Sequence, residues 1–218
     1  MPALLVLLAM LSMQDSPLLS YHKMQELKES IAARTLEVRV ELEPLAGTSR
    51  QFARKMEGEA VCVKNGKGKL VVLTSQWLVE DLRKVEVRSA AHKKWLESSV
   101  VKVDKVAGLA WLALPKGMEC VETKLAEDEL ARISLWVFSV DDPADHANIF
   151  YGQVAMFAES PLKNYMLTTT GLPIGYPLFA MNGELAAINL RRYTPTAATY
   201  LAITCKQLRR ILFPKSPQ

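Results

Sequence analysis

From Leu36 onward the chain is a succession of short β-type runs, and this spacing restricts the fold more than any other feature. The first run, LEVRVELEP, alternates apolar and charged residues and ends at Pro44, which is typical of a half-buried strand. The next, EAVCVKNGKGKLVVLTS, predicts a hairpin across the turn 65–68. The later runs are KVEVRSA, SSVVKVD, LAWLALP, ISLWVFSV, YGQVAMFAE, YMLTTT, GELAAINL and TYLAITC. Short strands in this number predict an all-β sandwich or barrel.

Helical spacing occurs only near the two ends. Met24, Leu27 and Ile31 recur at three- and four-residue intervals, and KQLRRILF closes the chain before Pro214. No linker-like segment divides the β-rich part. We therefore predict a helical extension over 16–35 and one β domain over 36–214.

Composition excludes several classes of function. Of 218 residues, 50% are hydrophobic, and the net charge of +4 comes from basic clusters scattered among acidic residues, which argues against a nucleic-acid partner. Cys62, Cys120 and Cys205 form no CxxC pair, so no zinc site or other cofactor is expected. Their odd number means that at least one thiol is free or pairs between chains.

The N-terminal segment 1–15 is apolar. Its run from Ala3 to Met13 is interrupted only by Ser12 and is too short for a bilayer, which takes roughly 20 residues. The length suits the h-region of a signal peptide, although a basic n-region is missing, and a buried apolar N-terminus is the alternative. We expect an extracytoplasmic protein, secreted or periplasmic, without an integral membrane span.

Three separated segments carry a family likeness. They are LVVLTSQWLVED after the first hairpin, DKVAGLAWL from Asp104 to Leu112, and TTTGLPIGYPLFAMNGELAAINL from Thr168 to Leu190. In order and spacing they resemble TNxHVV, DxxxDLALL and GNSGGPLxNxxGExxGIN of the trypsin-like (chymotrypsin-fold) serine proteases, most closely the HtrA/Deg-type branch. The resemblance covers roughly Leu36 to Leu212 and implies two six-stranded-type β-barrels.

The residues of the catalytic triad are all replaced in this alignment. Trp77 stands at the histidine position, Gly108 at the aspartate position and Ile174 at the serine position. Serine-protease chemistry needs an alcohol, an imidazole base and a carboxylate that orients it, and none of the three replacements supplies these groups. The resemblance therefore implies an inactive domain, a pseudoprotease.

The loop that would form the oxyanion hole is also altered. Leu172 and Tyr176 replace glycines of the pattern, whereas Gly175 is kept and Pro173 precedes the nucleophile position. Glycines let such a loop turn tightly and approach a substrate, so their loss predicts a remodelled loop.

The apolar replacements allow two interpretations of the former cleft. Trp77 and Ile174 face each other in a filled, core-like site, or they line a hydrophobic groove that still binds peptides. A candidate peptide-contact edge follows the strand beyond the loop, comprising Asn189, Arg191, Arg192 and Tyr193.

Two other features have structural and functional alternatives. The loop DDPADH, with His146, is either an acidic surface turn or a divalent-cation site, and the surface turn is favoured, so no metal is predicted. Trp95 is either an exposed contact residue or a half-buried hairpin residue, whereas Trp111 and Trp136 are expected in the core.

These observations favour an inactive trypsin-like domain that binds or scaffolds a protein or peptide partner, with an extended peptide adding to a strand edge. One alternative is an active serine-type endopeptidase-like hydrolase with an unconventional site. Another is a structural subunit that assembles with copies of itself as a homo-oligomer.

Overall fold

The computed structural model describes most of the β domain. It covers residues 21–42, 54–80, 82–127, 136–157, 165–169, 174–192 and 200–214. The predicted signal segment 1–15 lies outside these residues, and so do Leu172, Pro173 and Tyr193.

The first of two antiparallel sheets has seven strands and forms a half-barrel. Its strands, in chain order, are β1 (Thr35–Leu42), β2 (Arg54–Lys64), β3 (Leu70–Ser75), β4 (Leu82–Ser89), β5 (Leu96–Ser98), β6 (Val100–Asp104) and β7 (Leu109–Leu112). Their spatial order is β5-β4-β1-β2-β3-β7-β6, so β5 and β6 lie at the ends of the sheet.

The second sheet is a closed six-stranded barrel with the order β10-β13-β12-β11-β8-β9. Its strands are β8 (Trp136–Asp141), β9 (Asn148–Phe157), β10 (Tyr165–Thr168), β11 (Pro177–Phe179), β12 (Leu185–Arg192) and β13 (Tyr200–Thr204).

One helix, α1 (Tyr21–Ala32), precedes the strands along the chain, and a second, α2 (Cys205–Leu212), follows them. Thr204 caps α2, since its hydroxyl accepts a hydrogen bond from the Gln207 amide. Within the described ranges, neither helix is long and apolar enough to cross a membrane.

The predicted all-β architecture with helical flanks is thus confirmed, as one closed barrel and one half-barrel. The strands β5 and β11 were not predicted as separate elements, because three residues are too few to show an alternating pattern. Trp111 is buried as expected, and Trp136 is half-buried and packs against the core.

Three apolar clusters hold the sheets together. One is built mainly from strands of the half-barrel and includes Val38, Ala60 and Cys62. A second is built from residues of the closed barrel, among them Val137, Met166 and Ala202. The third contains residues of both sheets and both helices, among them Ile31 and Phe179, and therefore joins the two halves of the fold.

A disulfide joins Cys62 of β2 to Cys120 in the connection between the sheets. In the same region the Thr123 amide donates to the Cys62 carbonyl at 2.8 Å. Cys205 is buried and takes no part in this disulfide. The sequence left the pairing open and required only that at least one of the three thiols be free or pair between chains.

Candidate functional site

Trp77 lies in a one-turn 3₁₀-helix, Gln76–Leu78, directly after β3. The hydroxyl of Ser75 caps this turn, since it accepts a hydrogen bond from the Trp77 amide at 3.2 Å. The same hydroxyl donates to the carbonyl of Leu190 at 2.9 Å. Because Leu190 belongs to β12, Ser75 ties the Trp77 turn to the second barrel.

Gly108 lies directly beside Trp77, in the turn before β7. Its carbonyl accepts a hydrogen bond from the Gln76 amide at 2.9 Å. A Cβ atom placed on Gly108 would lie 2.6 Å from Cζ3 of Trp77 and 3.0 Å from Cδ1 of Leu190. The indole therefore occupies the space that a side chain at this position would need, and φ is +74°.

Asp104, which aligns with the first aspartate of the DxxxDLALL pattern, stabilises this turn. Its Oδ1 accepts hydrogen bonds from the amides of Val106 at 3.1 Å and Ala107 at 2.9 Å. Its carbonyl accepts from the Gly108 amide at 2.8 Å. This is an Asx-type turn, and it presents Gly108 to Trp77.

Ile174 is half-buried and packs against the apolar cluster of the half-barrel, whereas Trp77 packs against the cluster shared by both sheets. The two apolar replacements thus fill different parts of the fold. Next to Ile174, Gly175 has φ +90°, and a Cβ there would lie 2.6 Å from Thr74 Oγ1. This retained glycine permits a close approach to the first sheet.

The predicted peptide-contact edge is partly buried. Asn189 is fully buried, and its amide donates to the Tyr176 carbonyl at 2.9 Å, while its Oδ1 accepts from the Thr168 hydroxyl at 3.3 Å. Arg191 is exposed, with its guanidinium carbon 5.3 Å from the centre of the Trp77 ring, within cation–π range. The backbone of Arg192 continues β12.

A second site was not foreseen from the sequence. A cavity of about 320 Å³ lies between the first sheet and the end of β8, and we call it the acidic cavity. Six carboxylate side chains line it: Glu37, Glu57, Glu59, Asp141, Asp142 and Asp145. Arg88, Trp95 and Tyr176 complete most of its wall.

The strand register explains why some of these charged residues lie side by side. Glu37 of β1 lies opposite Glu59 of β2 on one side and opposite Arg88 of β4 on the other. The three side chains therefore form one row across neighbouring strands. The predicted alternation of β1 is present, but its charged side is covered here, and Glu37 is buried.

Glu59 is the most enclosed of these residues, with 1% of its surface exposed. Neither of its carboxylate oxygens has a hydrogen-bond partner in the described part of the chain. Burial raises the pKa of Glu59 well above its usual range, and the nearby charges of Asp141 and Glu37 raise it further. The only sequence hint was a glutamate placed directly before the apolar run 60–63.

Arg88 is the cation of the cavity and already has three carboxylate partners. It donates to Glu37, to Asp145 at 2.7 Å and to Asp142 at 3.3 Å. Glu37 also accepts a hydrogen bond from the Ala144 amide at 2.9 Å. Burial nevertheless raises the pKa of Glu37, since it outweighs these bonds.

These contacts bear on the predicted DDPADH turn. Asp142 and Asp145 bind Arg88, so the turn is attached to the first sheet. Over the ranges that the structure describes, no group of three or more His, Cys, Asp and Glu side chains is arranged to hold a metal ion.

Tyr176, which directly follows Gly175, lines the acidic cavity. It is buried, and its hydroxyl donates to Asp141. Burial raises the pKa of this hydroxyl, and the charge of Glu59 adds to the effect. The residue that replaces a loop glycine in the family pattern therefore supplies a wall of the cavity.

Trp95, left between two interpretations by the sequence, is half-buried. Two guanidinium groups lie over its ring, that of Arg39 at 4.4 Å and that of Arg88 at 4.7 Å from the ring centre.

No protein-family model matches the chain, and no curated protein sequence matches it.

Proposed function

We propose that this chain is a catalytically inactive relative of the trypsin-like serine proteases, of the HtrA/Deg type, that binds or scaffolds a protein or peptide partner. The observation that carries the proposal is the Trp77 indole beside Gly108. A Cβ at position 108 would lie 2.6 Å from the ring, so the indole excludes an orienting carboxylate from that position.

The chemistry of the replacements supports inactivity. An indole N–H donates a hydrogen bond but does not take a proton from an alcohol, so Trp77 is no general base. Ile174 has no nucleophilic atom, and its side chain packs against the half-barrel cluster. Loss of the triad leaves only the modest acceleration that binding and an oxyanion hole provide, about 10³–10⁴-fold over water.

Partner binding is proposed at the surface around Arg191. This side chain is exposed and lies over the half-buried Trp77 ring, so a cation and an aromatic face are presented together. Arginine beside an aromatic residue is common where proteins contact partners. The end strand β6 is a second position for strand addition, because Val101 and Val103 are 68% and 41% exposed.

An activity test addresses the first half of the proposal. A fluorophosphonate probe should leave the purified protein unlabelled and casein intact, under conditions in which an active trypsin-like protease is labelled and cleaves. Turnover that persists in Trp77→Ala and Ile174→Ala would instead support an active hydrolase with an unconventional site.

A binding test addresses the second half. An array of extended peptides should retain the wild-type protein, and Arg191→Ala should weaken binding about tenfold or more if that edge is used. Val101→Lys/Val103→Lys serves as the matched variant, because charges on an edge strand oppose strand addition. Loss of peptide binding in the Val101→Lys/Val103→Lys variant, but not in Arg191→Ala, would assign the peptide to β6. Self-association without peptide binding would favour the structural-subunit alternative.

We also propose an extracytoplasmic location, secreted or periplasmic. The Cys62–Cys120 disulfide supports it, since disulfides persist mainly in oxidising compartments. Thiol alkylation before lysis, followed by fractionation, should find this pair oxidised in the extracytoplasmic fraction. A reduced pair in the cytoplasmic fraction would contradict the proposal.

A further inference from the structure

We propose that the acidic cavity is a binding site for an organic cation, namely a primary ammonium or guanidinium group carried on a short alkyl chain. The source of that group is a lysine or arginine side chain of another polypeptide or a free amine. This inference does not rest on the inactive-protease proposal, because it concerns different residues.

The charge of the cavity lining is strongly unbalanced. Six carboxylate residues line it, and among the described lining residues Arg88 is the one basic side chain. The guanidinium of Arg88 is already engaged by Glu37, Asp142 and Asp145. Arg88 therefore leaves Glu59 and Asp141 without a cationic partner among the described lining residues.

Glu59 provides an observation independent of the charge count. This residue lines the cavity, its two carboxylate oxygens are buried, and neither has a hydrogen-bond partner within the described ranges. A buried polar group without a hydrogen-bond partner destabilises the folded state, and more so if it is charged. A bound N–H donor would satisfy both the missing hydrogen bonds and the missing charge.

The shape of the site favours an organic cation over a bare metal ion. A volume of about 320 Å³ greatly exceeds the roughly 30 Å³ that one water molecule occupies, and the carboxylates form no three-ligand group. The half-buried ring of Trp95 adds apolar surface to the wall, which suits an alkyl chain.

Exposure decreases from the mouth of the cavity to its base. The side chain of Asp145 is 41% exposed, that of Arg88 is 17% exposed, and Glu59 is 1% exposed. Asp145 and Arg88 are thus the more accessible part of the lining, and Glu59 is its most enclosed part. Tyr176, which donates to Asp141, fixes the orientation of that carboxylate.

Calorimetric titration of the full chain with n-butylamine and n-butylguanidine tests the site, with 1-butanol as the neutral control. Both cations should bind and the alcohol should not. A lysine-containing pentapeptide and its norleucine analogue distinguish the sources. Tighter binding of the lysine peptide than of butylamine assigns the site to a polypeptide side chain, and the reverse order assigns it to free amines.

Substitutions then locate the binding. Glu59→Gln and, independently, Asp141→Asn should each weaken butylamine binding about tenfold or more, which corresponds to one charge-assisted hydrogen bond. Glu41→Gln is the matched control, because Glu41 lies on β1 outside the cavity and should leave the affinity unchanged.

Two results would overturn the inference. The first is absence of cation binding, or binding that is unchanged in both Glu59→Gln and Asp141→Asn while circular dichroism shows folded protein. The second is tighter binding of Ca²⁺ than of either organic cation with the same dependence on Glu59, which would make the cavity a metal site.

Discussion

Trp77 and Gly108 share one space, and this links two substitutions that are 31 positions apart in the chain. The indole fills the volume next to Gly108, and the positive φ of Gly108 disfavours a residue with a Cβ. A carboxylate side chain at position 108 would therefore require removal of the indole first.

This shared space predicts a strong coupling between the two positions. Gly108→Ala should lower the free energy of unfolding by about 2–4 kcal/mol, as the sum of the clash with Trp77 and the cost of a left-handed alanine. In a Trp77→Ala background the same change should cost only about 1–2 kcal/mol. Urea denaturation of the four proteins measures the difference.

Gly68→Ala is the control for this cycle. Gly68 has a similar φ of +71°, but a Cβ there would have no neighbour within 4 Å. Gly68→Ala should therefore show only the cost of a left-handed alanine, about 1–2 kcal/mol of unfolding free energy, in both the wild-type and the Trp77→Ala background. An equal cost of Gly108→Ala in both backgrounds would contradict the shared-space interpretation.

Glu59 predicts a pH-dependent stability. Its pKa in the folded protein lies above the unfolded value, so the folded state binds its proton more tightly, and stability falls as pH rises from the unfolded pKa through the folded pKa. Glu59→Gln removes this titration. Relative to wild type, the free energy of unfolding of this variant should change little near about pH 5 and should be larger by about 1–3 kcal/mol at higher pH.

Urea denaturation at several pH values measures that gain, with Glu41→Gln as the control outside the cavity. A gain that increases toward low pH would have the wrong sign and would show that Glu59 is stabilised as a carboxylate in the folded state.

At the scale of elements, the register of β4, β1 and β2 creates the row Arg88–Glu37–Glu59. Arg88 extends the row to the turn after β8 through Asp142 and Asp145. This arrangement holds a turn of the second barrel against the first sheet.

Arg88→Ala should release that turn. We expect a loss of about 1–3 kcal/mol of unfolding free energy, because Glu37 is left buried without its guanidinium partner. Hydrogen exchange at the Ala144 amide, which donates to Glu37, should accelerate. Arg83→Ala, whose exposed pair with Glu41 spans 3.4 Å, should change stability by about 0.5 kcal/mol or less.

Unchanged exchange at Ala144 in Arg88→Ala would show that the backbone of the turn is held by other contacts.

The elements themselves were largely predictable, because alternation in LEVRVELEP and helical spacing near Leu27 are local patterns. The burial of Glu37 was not, because it depends on a turn about a hundred residues later in the chain. The sequence left open whether positions 77 and 108 meet, and the structure places them side by side. The separate packing of Trp77 and Ile174 depends on three-dimensional contacts with different clusters, which no local pattern encodes.

At the scale of the whole molecule, the Cys62–Cys120 disulfide closes a loop with a sequence separation of 58 that contains β3 to β7. Such a loop restricts the unfolded chain, and its loss should destabilise the protein by about 3–4 kcal/mol in the chain-entropy account.

Cys62→Ala/Cys120→Ala tests this prediction in urea unfolding, and reduction of the wild-type protein should reproduce the loss. Cys205→Ala is the control, since Cys205 lies outside the Cys62–Cys120 disulfide and its replacement opens no loop. A double variant as stable as wild type would show that the closed loop contributes nothing to the fold.

The same closed loop determines what a single cut in the chain would do. The turn between β2 and β3 exposes Lys67 and lies inside the loop. A protease that nicks the chain there would produce two fragments that migrate separately under reducing electrophoresis but as one species without reductant. A severed half-barrel would thus remain a single covalent molecule, with its new ends at the tip of the hairpin.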